Sequence, residues 1–424
     1  MLESSTVVHS QPRRTAPSDR LATRLVLAQL ARWHAGALTV TLPDGQEHRF
    51  GPPRAAQRIA VTVHHWRFFR RILTGGDIGV GESYMDGDWT CNDLVGLCSA
   101  FLADQAVIDQ RSPWTLASRA LHAVQRWARA NTLRGSKRNI QFHYDLSNEL
   151  FALFLDESMT YSAAVFEPAG ATLEAAQRAK LDGVCRALDL QPDQHVLEIG
   201  SGWGAFALHA ARTYGARVTS LTLSHDQYRL ARERVAAAGL SERIDIRLCD
   251  YRELHGRFDH LVSIEMFEAV GLKYYDAFFG ACERLLAPGG RMFLQTIAMP
   301  DQRFDAYRRD YDWVRKYIFP GSLLASLHEV TASLKRVTGL RVESLRDIGP
   351  DYARTLGIWR ERFLARRAEV RRLGFDDRFV RMWEYYLASC EAGFAVRYIN
   401  DLQLVLSRPL PFARALAAPA RAAA

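Results

Sequence analysis

Glu198-Ile199-Gly200-Ser201-Gly202-Trp203-Gly204, running directly into the helix-like Ala205–Arg212, is the stretch whose reading decides the fold. The apolar run His195–Ile199 ahead of it has strand character, so the order is strand, glycine turn, helix. Glycines in such a turn let the backbone pass close to a ligand, and the acid closing the strand can hold a cationic or hydroxyl-bearing group. A lone G-x-G-x-G fits a tight turn equally well, so its surroundings carry the argument. Further strand candidates follow at Arg217–Leu223, Ile244–Cys249, His260–Ile264 and Arg291–Thr296, most of them separated by helical segments. That alternation predicts a doubly wound, mostly parallel α/β sheet with ligands at the carboxyl ends of its strands.

A dinucleotide site would want G-x-G-x-x-G and an acid closing the second strand. Here the second strand closes on Leu221-Thr222-Leu223-Ser224, and the next acid, Asp250, closes the third, where it is placed to take an adenine amino group. The glycine loop with spaced acids resembles class I S-adenosylmethionine-dependent methyltransferases, whose fold is Rossmann-like.

The 424 residues are 48% hydrophobic and 24% charged, ordinary globular composition with room for two or three domains. Net charge is +8, and residues 111–138 alone hold seven basic residues and no acid. Within them Trp114, Ala117, Leu121, Val124 and Ala128 recur at helical spacing, while Arg119, Arg126 and Arg129 fall on the other side. An amphipathic basic helix of this kind suits an anionic bilayer surface, and equally a linker docked on its own protein. The six cysteines are scattered without metal-site spacing, so no metal is expected and the thiols read as reduced and cytoplasmic. Arg13-Arg14 lacks the apolar run of an export signal, and no stretch reaches the ~18–20 apolar residues of a membrane span. Any membrane contact is therefore expected to be peripheral.

The expected organisation is a polar tail (1–20), a small α+β domain (21–110), the basic linker (111–138), a methyltransferase domain (139–410) and a second tail (411–424). In the α+β domain Ala37–Phe50 reads as a hairpin around Pro43-Asp44-Gly45. Beyond Met299, helical stretches at Arg303–Ile318, Leu323–Leu334, Ile358–Leu373 and Arg378–Phe394 read as a helical lid.

The fourth strand is followed by Glu265-Met266-Phe267-Glu268-Ala269-Val270-Gly271, which offers carboxylates and none of the proline clamp used on nucleobase amines. No nucleic-acid partner is expected. Taken together, Ile140–Asn148 with Phe151, Met159-Thr-Tyr-Ser162, Gly200–Gly204, Leu221–Gln227, Met266-Phe-Glu268, Tyr317-Ile-Phe-Pro-Gly321 and Tyr385-Tyr386 up to Cys390-x-x-x-Phe394 resemble the cyclopropane fatty acid synthases and the related mycolic acid cyclopropane synthases. Gly81–Gly87 is similar to the small leading domain of the phospholipid-acting members.

The resemblance implies methyl transfer from S-adenosylmethionine to a cis double bond of a phospholipid acyl chain, by a homodimer at the inner membrane face, ending in a cyclopropane. It assigns Tyr161, Ser162, Gly200, Gly202, Thr222, Leu223, Gln227, Tyr251 and Arg252 to the cofactor, beside Glu198 and Asp250. It also implies a bicarbonate base held by Glu268, the backbone of Ile297 and Tyr352, and it marks Cys390 as an active-site cysteine. A small helix-packing role suits Cys390 better on physical grounds, because no basic neighbour in sequence lowers its pKa. Likewise Trp383, Tyr385, Tyr386, Phe394 and Tyr398 read as core and acyl-channel wall, and His143 as a structural hydrogen-bonding residue.

Two departures stand out. The family's Tyr-Ser-Cys is Tyr161-Ser162-Ala163 here, and its His-Thr-Ile is Gln295-Thr296-Ile297, so a thiol and an imidazole are lost beside the anion. Gln295 can still donate through its amide. A weakened bicarbonate site, Glu268 as the base, and a methyl-branched or methylene product all stay open. So do a methyltransferase of small soluble molecules and an inactive lipid-surface protein.

Overall fold

The computed structural model describes residues 16–103 and 147–410, which fall in two compact units. The basic linker, His143 and both terminal tails beyond these bounds lie outside the described residues.

In the first unit α1 (Pro17–Leu30) starts with proline in its first turn and buries Ala22, Val26 and Leu30. Its start lies inside the stretch expected to be tail, because Pro17 and Asp19 suit a helix N-terminus as well as they suit a loop. β1 (Ala37–Thr41) and β2 (Glu47–Phe50) form the expected hairpin, β3 (Arg58–Val63) joins β1 in parallel, α2 (Arg67–Met85) follows, and β4 (Trp89–Cys91) closes the order β2-β1-β3-β4 ahead of α3 (Leu94–Ala103). Asp88 is fully buried and accepts from Ser83, Arg67 and Arg71, so its charge is paired and hydrogen-bonded.

The second unit opens with α4 (Asn148–Ala152) and α5 (Leu173–Leu188) and then alternates: β5 (His195–Ile199), α6 (Ala205–Tyr214), β6 (Arg217–Thr222), α7 (His225–Ala237), β7 (Ile244–Leu248), β8 (Phe258–Ile264), α8 (Tyr275–Leu285) and β9 (Leu286–Ala298). Helices α5 and α7 start on Thr172 and Ser224, whose hydroxyls accept from the third residue on, satisfying donors left open by the helix. After β9 come α9 (Asp301–Arg309), α10 (Trp313–Tyr317), α11 (Leu327–Val337), β10 (Arg341–Asp347), α12 (Gly349–Ala365), α13 (Arg367–Arg372), α14 (Asp377–Ala395) and β11 (Asn400–Ser407).

Seven strands pair in the order β10-β11-β9-β8-β5-β6-β7. β5 to β9 run parallel, and β11 inserts antiparallel between β9 and β10. Successive residues of one strand feed opposite faces. Leu197, Leu261, Leu294 and Leu404 enter the core beneath α8 and α11, whereas Val196, Val262, Phe293 and Val405 enter the one beneath α5, α6 and α7. Each such buried side chain contributes roughly 1.5–3 kcal/mol of transfer free energy.

The region read as a helical lid also holds two sheet strands, in stretches between and after the expected helices. β10 is exposed along nearly its whole length and shows no apolar alternation, and β11 is a short apolar run that periodicity alone cannot separate from a helix end. No helix among the described residues is long and apolar enough to cross a membrane.

Candidate active site

The glycine turn leaves β5 at its carboxyl end. Gly200 has φ +101°, and a Cβ there would stand 2.9 Å from the Cβ of Met266, so the position is closed to side chains by the chain's own packing. Gly202 has φ +49° and meets nothing within 4 Å, because it borders a cavity. All eleven residues expected at a cofactor line that one cavity, joined by Lys180, Glu265 and Met266.

Their polar groups are mutually arranged. Thr222 donates to the Gln227 side chain at 2.9 Å. Lys180, 2% exposed, donates to the Ser162 hydroxyl at 2.8 Å. Burial pulls this lysine down to about 8, against the attraction of Glu265, Asp156, Asp401 and Glu198. Burial also pushes Glu198 up to about 8 although the Ser220 hydroxyl donates to it. Both oxygens of Asp250 already accept from Arg252, at 2.8 and 2.6 Å, which leaves only its remaining lone pairs for a ligand. Tyr161 stacks on Trp359 with centroids 5.3 Å apart, and its hydroxyl meets that of Tyr386 at 2.8 Å. Arg234 donates to the carbonyls of Trp203 and Ser158, tying α7 to the cavity rim.

Behind the cavity sits a carboxyl cluster whose wiring differs from the expected anion site. Glu265 Oε1 accepts from the Ala163 backbone N–H at 2.7 Å and from Gln295 Nε2 at 2.8 Å, and Glu265 Oε2 accepts from the Tyr352 hydroxyl at 2.8 Å. Tyr352 and Gln295 therefore serve Glu265, not a shared site with Glu268. Gln295 also donates to Asp401 at 3.0 Å and accepts from Gln403, so its amide is fully engaged. Glu268 Oε1 takes the Thr296 hydroxyl and the Ile297 N–H, while its other oxygen is buried without a partner. Burial first, then the charge of Glu265, pushes Glu268 up to about 7.

Asp401 is fully buried, and burial together with the charges of Glu265 and Glu268 drives its pKa well up. Like charges this close cannot all ionise, so the cluster shares protons. Burial raises the pKa of Glu265 as well, opposed by the Ala163, Tyr352 and Gln295 donors and the Lys180 charge, while Asp401 is raised by burial and by both glutamates. The proton is shared within the cluster, and the three donors favour charge on Glu265.

A bicarbonate ion does not fit this arrangement, since the Ala163, Gln295 and Tyr352 donors are satisfied by Glu265 and the Ile297 N–H by Glu268. Of the expected catalytic residues, Glu268, Tyr352, Gln295 and Cys390 all lie outside the cavity lining. Cys390 is half-buried on α14. Trp383 is fully buried among Phe151, Phe154, Phe363 and Tyr386, as expected of core.

Sequence reading gave no role to Glu265, Lys180 or Asp401. One signal for Lys180 existed: with Gln177 it falls on the buried stripe Leu173, Ala176, Leu181, Val184 of α5, where an unpaired lysine is costly.

A doubly wound sheet with its last strand inserted antiparallel, and a glycine-turn cavity at the strand carboxyl ends, define an S-adenosylmethionine-dependent class I methyltransferase. The sequence profile described as mycolic acid cyclopropane synthetase matches residues 131–404. The chain is 45% identical over 360 residues to tuberculostearic acid methyltransferase UfaA1 of Mycobacterium tuberculosis, covering 81% of each. It is 39% identical over 353 residues to cyclopropane-fatty-acyl-phospholipid synthase of Escherichia coli, covering 82% of this chain and 87% of that one. Among solved structures, mycolic acid cyclopropane synthase CmaA1 complexed with SAH and CTAB aligns with TM-score 0.60 and 32% identity over 64% of this chain and 98% of that one. The chain belongs to the cyclopropane synthase family of methyltransferases, and its methyl donor is S-adenosylmethionine.

Proposed function

We propose that the chain transfers a methyl group to one carbon of a cis double bond in a phospholipid-bound acyl chain, with the eleven cavity residues holding the cofactor. The observation that carries this reading is the cavity's direct contact with Glu265, backed by buried carboxyls and walled by aromatic rings. S-adenosylmethionine supplies an electrophilic methyl carbon. An alkene is a weak nucleophile, so positioning in a water-poor site supplies most of the acceleration. Attack leaves a carbocation, and a base must then take a proton from a neighbouring carbon.

Where that proton comes from sets the product. Loss from the new methyl with closure of a carbon–carbon bond gives a cyclopropane; a hydride shift followed by loss from the methyl gives an exocyclic methylene. We favour the open-chain outcome. The replacements at Ala163 and Gln295 support it, as does the relative at 45% identity, which is named a methyltransferase. Ring closure is the second reading, supported by the Escherichia coli relative's name.

The basic stretch 111–138 supports docking on the anionic inner face of a membrane. The test is purified protein with labelled cofactor and vesicles of saturated or monounsaturated phospholipid. Label entering only the unsaturated lipid supports the reading; equal consumption without lipid removes it.

A further inference from the structure

Glu265 stands in an unusual backbone state. Its φ is +48°, a left-handed conformation that favours glycine and costs a residue with a side chain about 1 kcal/mol or more. The backbone there is held by its N–H, which donates to the Gln295 carbonyl at 2.8 Å. This strain aims one carboxyl at three donors from three distant parts of the chain, Ala163, Gln295 and Tyr352, while leaving it on the cavity wall. The expected base, Glu268, does not line the cavity and spends one oxygen on Thr296 and Ile297.

Resting on the alkene-methylation reading, we propose that Glu265 is the proton-accepting base of the reaction, a built-in carboxylate that fills the anion site and makes the enzyme independent of bicarbonate. The alkene π pair forms the bond to the methyl carbon, the sulfur–methyl pair leaves on sulfur, and a carbocation remains on the acyl chain. The Glu265 carboxylate takes one proton from the new methyl, and that C–H pair closes the ring or, after a hydride shift, forms the methylene double bond. Neutral Glu265 is then left beside Asp401, its hydrogen-bond partner, and returns the proton to solvent. No oxidant or reductant is needed, and a saturated methyl branch would require a separate hydride-donating reaction downstream.

Glycine suits this backbone, so Glu265→Gly removes the carboxylate without strain and frees all three donors. The decisive experiment compares ¹³C-bicarbonate binding by NMR, cofactor binding by calorimetry, and turnover in CO₂-free buffer. Wild type should bind no bicarbonate and turn over equally with and without it. Glu265→Gly should bind bicarbonate, keep cofactor affinity within about two-fold, lose about 100-fold or more in turnover, and regain part of it when bicarbonate is added. Glu265→Gln should lose turnover to the same degree without rescue. Bicarbonate binding to wild type, wild-type activity that requires bicarbonate, or near-normal turnover of Glu265→Gln each overturns the proposal. A wild type that binds cofactor but modifies no acyl chain sinks the alkene reading instead, and the bicarbonate comparison still decides what fills the anion site.

Discussion

The hydroxyl of Tyr352 on α12 donates to Glu265 at the end of β8 at 2.8 Å, across 87 residues of sequence. Both were within view of sequence reasoning, but their pairing was not. The bond stabilises the ionised carboxylate, and hydrogen bonds to charged groups are worth roughly 1.5–3 kcal/mol. Tyr352→Phe should therefore raise the pKa of Glu265 and move the acidic limb of the pH–rate profile to higher pH by about one to two units. Cofactor affinity should stay unchanged. An unmoved limb would separate Tyr352 from the reacting carboxylate.

Glu198 gives a second pH signature. Its folded pKa, about 8 against 4.5 for the free side chain, lies above the unfolded value. Its contribution to stability is thus present below about 4.5 and lost as pH rises through about 8. A cationic ligand beside it favours the ionised form, so cofactor affinity should rise between pH 6.5 and 8.5. Calorimetry on Glu198→Gln should show weaker binding with that rise removed; an identical pH slope would place Glu198 outside the contact.

Gly200→Ala tests the turn. The added methyl meets Met266 at 2.9 Å in a backbone state that disfavours any side chain. Strain plus overpacking costs about 2–3 kcal/mol, which should appear as a lower Tm and lost cofactor binding. Full stability would mean that β5 and the Met266 segment are free to part.

Neutralising Arg119, Arg126 and Arg129 together should weaken binding to anionic vesicles, by about 1 kcal/mol per residue at low salt, with turnover on detergent-dispersed lipid unaffected. Unchanged vesicle binding would favour the docked-linker reading of 111–138.

The strand–turn–helix at Glu198–Gly204 was legible because hydrophobic period and glycine spacing are local. All eleven cofactor expectations converge on one cavity: most sit at or just beyond the carboxyl ends of β5, β6 and β7, whose position the alternation dictates, while Gln227 comes from the first turn of α7 and Tyr161 and Ser162 from the segment between α4 and α5. The carboxyl cluster was not legible. Its donors come from Ala163, Gln295 and Tyr352, 102, 30 and 87 residues from Glu265. Asp401 arrives on β11, a short apolar run to which the sequence pattern assigned no element. Nothing in Glu265-Met266-Phe267-Glu268 says which glutamate faces the cavity; the left-handed φ at Glu265 decides it.

The most direct test of the central claim is the acyl-chain composition of phospholipids from cells expressing the chain, with the modified fatty acid resolved by mass spectrometry and NMR. Monounsaturated chains should gain one CH₂ at the double bond, as an exocyclic methylene or a ring, and the gain should be absent when Glu265→Gln is expressed instead. Unaltered unsaturated chains in cells where the protein consumes labelled S-adenosylmethionine on another substrate would contradict it.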